Sequence, residues 1–148
     1  MTIQRIFSVV MIVVFLLGII GVRYFEVALF QDELNDYFHS DFQNIPIPDI
    51  SLLENIASTS LRFLINTVLS LWILWFLYKR EDYLKASLWV YLFSFLILIT
   101  AFTVLNHLDG QWVKMALFYV RRFLIHPLLL FILVAGCYFL KTKDFNLN

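Results

Sequence analysis

The stretch "FYVRRFLIHPLLLFILVAG", residues 118–136, sets two arginines, a histidine and a proline at the head of an otherwise apolar run. Whether that run lies in a water-soluble core or crosses a membrane decides the fold, and composition answers the question. Of the 148 residues 61% are apolar and 18% aromatic, and the mean hydropathy is +0.82, whereas a soluble domain holds about 45–50% apolar residues. The chain therefore reads as an all-α integral membrane protein. Its formal net charge of zero excludes the basic footprint that nucleic-acid binding requires. The single cysteine, Cys137, makes no internal disulfide, and no Cys/His cluster carries zinc-ligand spacing. Neither a metal nor a cofactor is expected.

Crossing about 30 Å of hydrocarbon takes roughly 17–25 helical residues. Stretches of that kind occur near 6–25, 61–78, 84–105 and 117–140, which predicts four transmembrane helices in one membrane domain spanning 1–148. The first, "IFSVVMIVVFLLGIIGV" at 6–22, is longer than the ~7–15 residues of a signal-peptide core and lacks an A-x-A-like cleavage site, so it is expected to remain as an anchor. Residues 26–60 carry seven of the eleven acids and form the acidic loop between spans one and two. Ser51 and Glu54 have capping-box spacing, so the second helix is expected to begin near Leu52.

Lys and Arg near span ends set orientation. With the N-terminus inside, Arg5, Lys79, Arg80, Lys85, Lys141 and Lys143 lie inside, and Arg23, Arg62, Lys114, Arg121 and Arg122 lie outside. The inside charges sit in short hydrophilic segments, and four of the outside ones are built into span ends. This favours N-in, C-in, with the acidic loop extracytoplasmic.

That topology collects polar groups at one depth. Arg62, Asn66 and Ser70 follow at intervals of four on the second span, Arg122 and His126 share a face of the fourth, and Arg23 and Glu26 lie three apart at the end of the first. Arg121 lies about 100° from Arg122. Arg23, Glu26, Arg62, Asn66, Arg121, Arg122 and His126 thus converge just below the outer surface. Pro127 removes a donor to the carbonyl of Phe123 and is expected to kink the fourth helix beside His126. Any single arginine near a span end is accounted for by snorkelling to the interface. Snorkelling requires no second polar group further in, whereas Arg62 is followed by Asn66 and Ser70, and Arg122 by His126. Such groups need partners in lipid, which argues for packing the second and fourth spans with these faces inward. A structural network and an anion-binding pocket would look alike at this level.

An enzymatic reading lacks a nucleophile at this depth. Cys137 lies eleven residues beyond His126, about 16 Å deeper at 1.5 Å per residue. Ser58, Thr59 and Ser60 read as local backbone partners, and a lone histidine reads first as a hydrogen-bonded structural residue. Trp72, Trp75, Tyr78 and Trp89 fit an interfacial aromatic belt. Ser87, Tyr91 and Ser94 form a polar stripe on the third span, while Gly18 and Gly21 allow close approach on the first.

"RYFEVALF" at 23–30, "RFLINTVLSLWI" at 62–73 and "FYVRRFLIHPLLL" at 118–130 resemble the motifs of the exosortase F system-associated membrane proteins, small four-helix proteins of Gram-negative bacteria. The resemblance implies an inner-membrane location and an exosortase partner, a multispanning cysteine enzyme that processes C-terminal sorting signals. It places Arg23, Glu26, Arg62, Asn66, Arg121, Arg122 and Pro127 on motif positions. At position 126 the family pattern more often has glutamine, which argues against proton transfer by His126. The leading expectation is a non-enzymatic accessory protein whose arginine site contacts the exosortase or an anionic group of its substrate, with membrane lipid as a second partner. The alternatives are a small membrane transferase acting on a lipid or protein-anchor phosphate, and a purely structural bundle.

Overall fold

The computed structural model describes residues 3–25, 33–46, 51–108 and 110–146. Helix α1, Ile3–Tyr24, is apolar on nearly every side. Its 22 residues, rising about 1.5 Å each, reach some 33 Å. Helices α3, Leu52–Tyr78, and α4, Glu81–Asn106, are also long and apolar enough to cross a membrane. Between α1 and α3 lies the short helix α2, Glu33–His39. Among the described residues the secondary structure is entirely helical. The molecule is therefore a helical, multi-pass membrane protein.

The fourth predicted span is not one helix. The structure divides it into α5, Gln111–Ile125, and α6, Leu128–Asn146, with a 63° bend between them. A kink was expected at Pro127, but the helix breaks. The residue before a proline is pushed out of the α region, and His126 accordingly has φ −102° and ψ 144°. His126 therefore stands outside the helical face it was expected to share with Arg122. The α5–α6 pair is long and apolar enough to cross a membrane only with its two arms counted together.

Helix α3 starts where its sequence says it should: Ser51 is the N-cap, and its Oγ accepts from the Glu54 backbone N–H at 3.5 Å. It ends at Lys79, whose φ of 53° and ψ of 36° turn the chain directly into α4 while its N–H donates to the Trp75 carbonyl at 2.8 Å. The Tyr78 hydroxyl ties this end to α6 by donating to the Val134 carbonyl at 2.6 Å. Helix α1 packs along α3. Gly18 faces Leu69, which a Cβ would meet at 3.5 Å, whereas nothing lies within 4 Å of one built on Gly21. Only the first of the two glycines sits at a helix contact.

From Asn55 to Ser70 the face that α3 buries is mostly polar, with Phe63 the apolar exception. Asn55, Thr59, Arg62, Asn66 and Ser70 recur every three or four residues on its inner side and are all buried. Leu61, Leu64, Val68 and Trp72 face outward. This reverses the pattern of a water-soluble helix and suits a helix surrounded by hydrocarbon, where polar groups must find their partners inside the bundle. Exposed Val9, Val13, Leu92 and Leu96 give α1 and α4 the same apolar exterior. Further along the bundle, Ser70 lies beside Tyr91, and Ser87 beside Cys137, all four buried where α3, α4 and α6 meet.

The described part of the acidic loop is packed against the bundle. Leu34, Tyr37 and Phe38 of α2 are buried in a cluster with Phe63, Phe102, Leu117 and Leu124. Phe42 stacks on Phe118 with ring centroids 5.7 Å apart. The Tyr37 hydroxyl is shared between the carbonyls of Phe42, at 2.9 Å, and Ile45, at 3.1 Å. Lys114 Nζ also donates to the Ile45 carbonyl, at 2.6 Å. These contacts make the loop a cap over α5.

Candidate functional site

The break at His126–Pro127 organises the polar groups around it. In a continuous helix the Ile125 carbonyl would accept from residue 129; the turn after Pro127 removes that donor. Asn66 replaces it, with Nδ2 donating to the Ile125 carbonyl at 2.9 Å. A side chain of α3 therefore caps the C-terminus of α5. The His126 N–H donates to the Arg122 carbonyl at 3.1 Å. His126 Nδ1 lies 3.1 Å from the same oxygen. A carbonyl only accepts, so this contact is a hydrogen bond in the tautomer that carries its proton on Nδ1.

The arginines differ in burial. Arg62 is 2% exposed and Arg121 is 4% exposed, whereas Arg122 and Arg23 are exposed. The inward-facing arginine of α5 is thus Arg121, not Arg122. Its guanidinium lies 5.4 Å from the centre of the Phe38 ring, and Nη1 is 3.5 Å from the Leu34 carbonyl. Arg121 holds the cap to α5 through a cation–π contact, one that strengthens as water is excluded.

Two recesses meet at the break. The lateral one, 390 Å³, lies between α1 and α6 and is lined by Arg23, Arg62, Asn66 and His126 above apolar walls that include Leu16 and Phe131. The other, 300 Å³, lies under the cap and is lined by Arg23, His39, Arg121, Arg122 and His126 together with Phe38 and Phe118. Arg23, Ile125 and His126 belong to both. Six of the seven predicted site residues are therefore gathered around one break, while Glu26 lies outside the described residues.

Sequence reading did not single out His39 or Phe38. They reach the site because α2 folds back onto α5, and no short-range pattern in a seven-residue helix encodes that docking. Ser58 and Ser60 line neither recess, and Cys137 of α6 is buried beside Ser87 of α4, away from both. Among the described residues no group of three or more His, Cys, Asp or Glu is placed to hold a metal ion.

In comparisons with known proteins, no family model, no curated protein and no solved structure matches the chain.

Proposed function

We propose that this protein is a non-enzymatic accessory subunit of the bacterial inner membrane that assists an exosortase, holding an anionic group of the enzyme or of its substrate at the extracytoplasmic membrane level. The observation that carries the reading is the convergence of Arg23, Arg121, Arg122, His39 and His126 on the recess under the cap. Guanidinium groups stay charged at any physiological pH and present a planar fork of donors. They bind and orient carboxylates or phosphates; they do not exchange protons with them. A site with most of its charge fixed in this way is suited to holding a group while a partner does the chemistry. The motifs around Arg23, Arg62 and Arg121 supply the choice of an exosortase as that partner.

The reading takes α5 and α6 together as one broken span, which gives four crossings and the N-in, C-in arrangement. In mild detergent, tagged protein is expected to retain the exosortase, and a preparation that never does so sinks the partnership. Arg122→Gln is the informative variant because Arg122 is exposed and its replacement leaves the packing intact. At normal membrane abundance it is expected to reduce sorting; undiminished sorting would remove the recess from the function.

A further inference from the structure

The lateral recess differs in kind from the one under the cap. Its charged lining, Arg23 and Arg62, is confined to the end where α1 finishes, and its remaining wall is apolar. Leu16 precedes Arg23 by seven residues, so this wall extends about 10 Å further into the bundle at 1.5 Å per residue. It reaches the outer flank at Ile20 and Phe131, which are 61% and 66% exposed. Those two residues belong to the hydrocarbon-facing exterior, so a ligand reaches the recess from within the bilayer. Arg23 lies in the last turn of α1, the part of a spanning helix that meets the headgroup region.

We infer that the recess between α1 and α6 binds one anionic phospholipid, its phosphate held by Arg23 and Arg62 and an acyl chain laid along Leu16, Ile20 and Phe131. The polarity of the site matches an amphiphile end for end. Arginine pairs a phosphate through two parallel N–H donors, and a cationic pocket favours a lipid of net negative charge over a zwitterionic one, whose choline it repels. The recess volume of 390 Å³ lies within the roughly 300–1,000 Å³ typical of small-ligand sites, enough for a head group and part of one chain. The break gives the site its shape: the 63° bend swings α6 away from the α5 axis beside α1. This lipid site does not depend on the exosortase partnership and stands if that partnership fails.

Native mass spectrometry of the purified full-length chain in detergent tests the inference directly. The probes are dioleoylphosphatidylglycerol, dioleoylphosphatidylcholine and inorganic phosphate. One phosphatidylglycerol per chain is expected, preferred over phosphatidylcholine by about tenfold, with no phosphate adduct. Arg23→Gln is expected to erase the preference between the two lipids. Ile20→Trp, at an exposed position that tolerates bulk, is expected to weaken both lipids by obstructing the mouth, while Val104→Trp on the lipid face of α4 leaves both unchanged. The inference is overturned by equal binding of the two lipids to the unmodified protein. Phosphate binding as strongly as phosphatidylglycerol overturns it too, because the anion site would then need no acyl chain. So does an Ile20→Trp variant that binds lipid as Val104→Trp does.

Discussion

Asn66 shows how one polar side chain inside a membrane bundle acts on two helices at once. Its bond to the Ile125 carbonyl removes an orphan acceptor created by Pro127, and leaving such a group buried and unpaired costs about 1–3 kcal/mol. Asn66→Ala is therefore expected to destabilise the protein by about that amount in SDS-titration unfolding; an unchanged midpoint would show that the carbonyl finds another donor. Tyr37 gives a pH-dependent counterpart in the cap. Burial raises its phenol above the ordinary value of 10.0, so the folded state holds the proton more tightly than the unfolded chain. Its contribution is fully present below pH 10 and is lost as pH rises through the folded-state value. The stability difference between the unmodified protein and Tyr37→Phe should be constant through neutrality and shrink in alkali; a constant difference up to denaturation would contradict the burial. Of these residues, Asn66 was legible from its place between Arg62 and Ser70. Its acceptor was not, because Pro127 announces that a helix will deform without saying which carbonyl a distant side chain will reach. The same limit hid the exchange of roles between Arg121 and Arg122, since a 100° rotation separates them and the docking of Phe38 settles which one turns inward.

At the scale of the element, the broken span is where local rules and tertiary packing meet. The sequence stretch 118–136 carries both signals, a proline that cannot donate and a preceding residue driven to extended backbone. Their combined result is two helices bent by 63°. Spin labels at Trp112 and Phe139, both exposed, report this bend in a Cys137→Ala background. A straight helix would place these positions about 40 Å apart, and the bent pair about 35 Å. Pro127→Ala restores the missing N–H and is expected to lengthen the distance; an unchanged distance would assign the bend to the Asn66 bond and the packing of α6. Helix α3 was read more fully. Its start at Leu52 followed from Ser51 and Glu54, and its polar stripe from the spacing of Arg62, Asn66 and Ser70, because caps and periodicity are local properties. Helix α2 was not legible as a docked cap: its apolar residues Leu34, Tyr37 and Phe38 gain meaning only against Leu117 and Leu124 far along the chain.

For the whole molecule, the class was plain from composition, and the helical bundle agrees with it. The proposed four-crossing topology carries a sharp expectation. Reporter fusions at residue 40 and after residue 143 should lie on opposite sides of the membrane, with the first extracytoplasmic; matching signals at both would mean that α5 and α6 enter and leave by the same face. The inverted polarity of α3 also bears on biogenesis. An arginine at the centre of a lone span costs about 2.5–3.5 kcal/mol to insert, and the stripe running from Asn55 to Ser70 multiplies the liability. The groups that sheathe the stripe include Ile125 and its carbonyl, which are synthesised some sixty residues later. Helix α3 is long and apolar enough to cross a membrane, but this part of the lining of its stripe is made only after α4. Nascent chains halted after α4 are therefore expected to be cleared by membrane quality-control proteases faster than the full-length chain; equal lifetimes in a pulse-chase would show that α5 and α6 are not needed to shield the stripe.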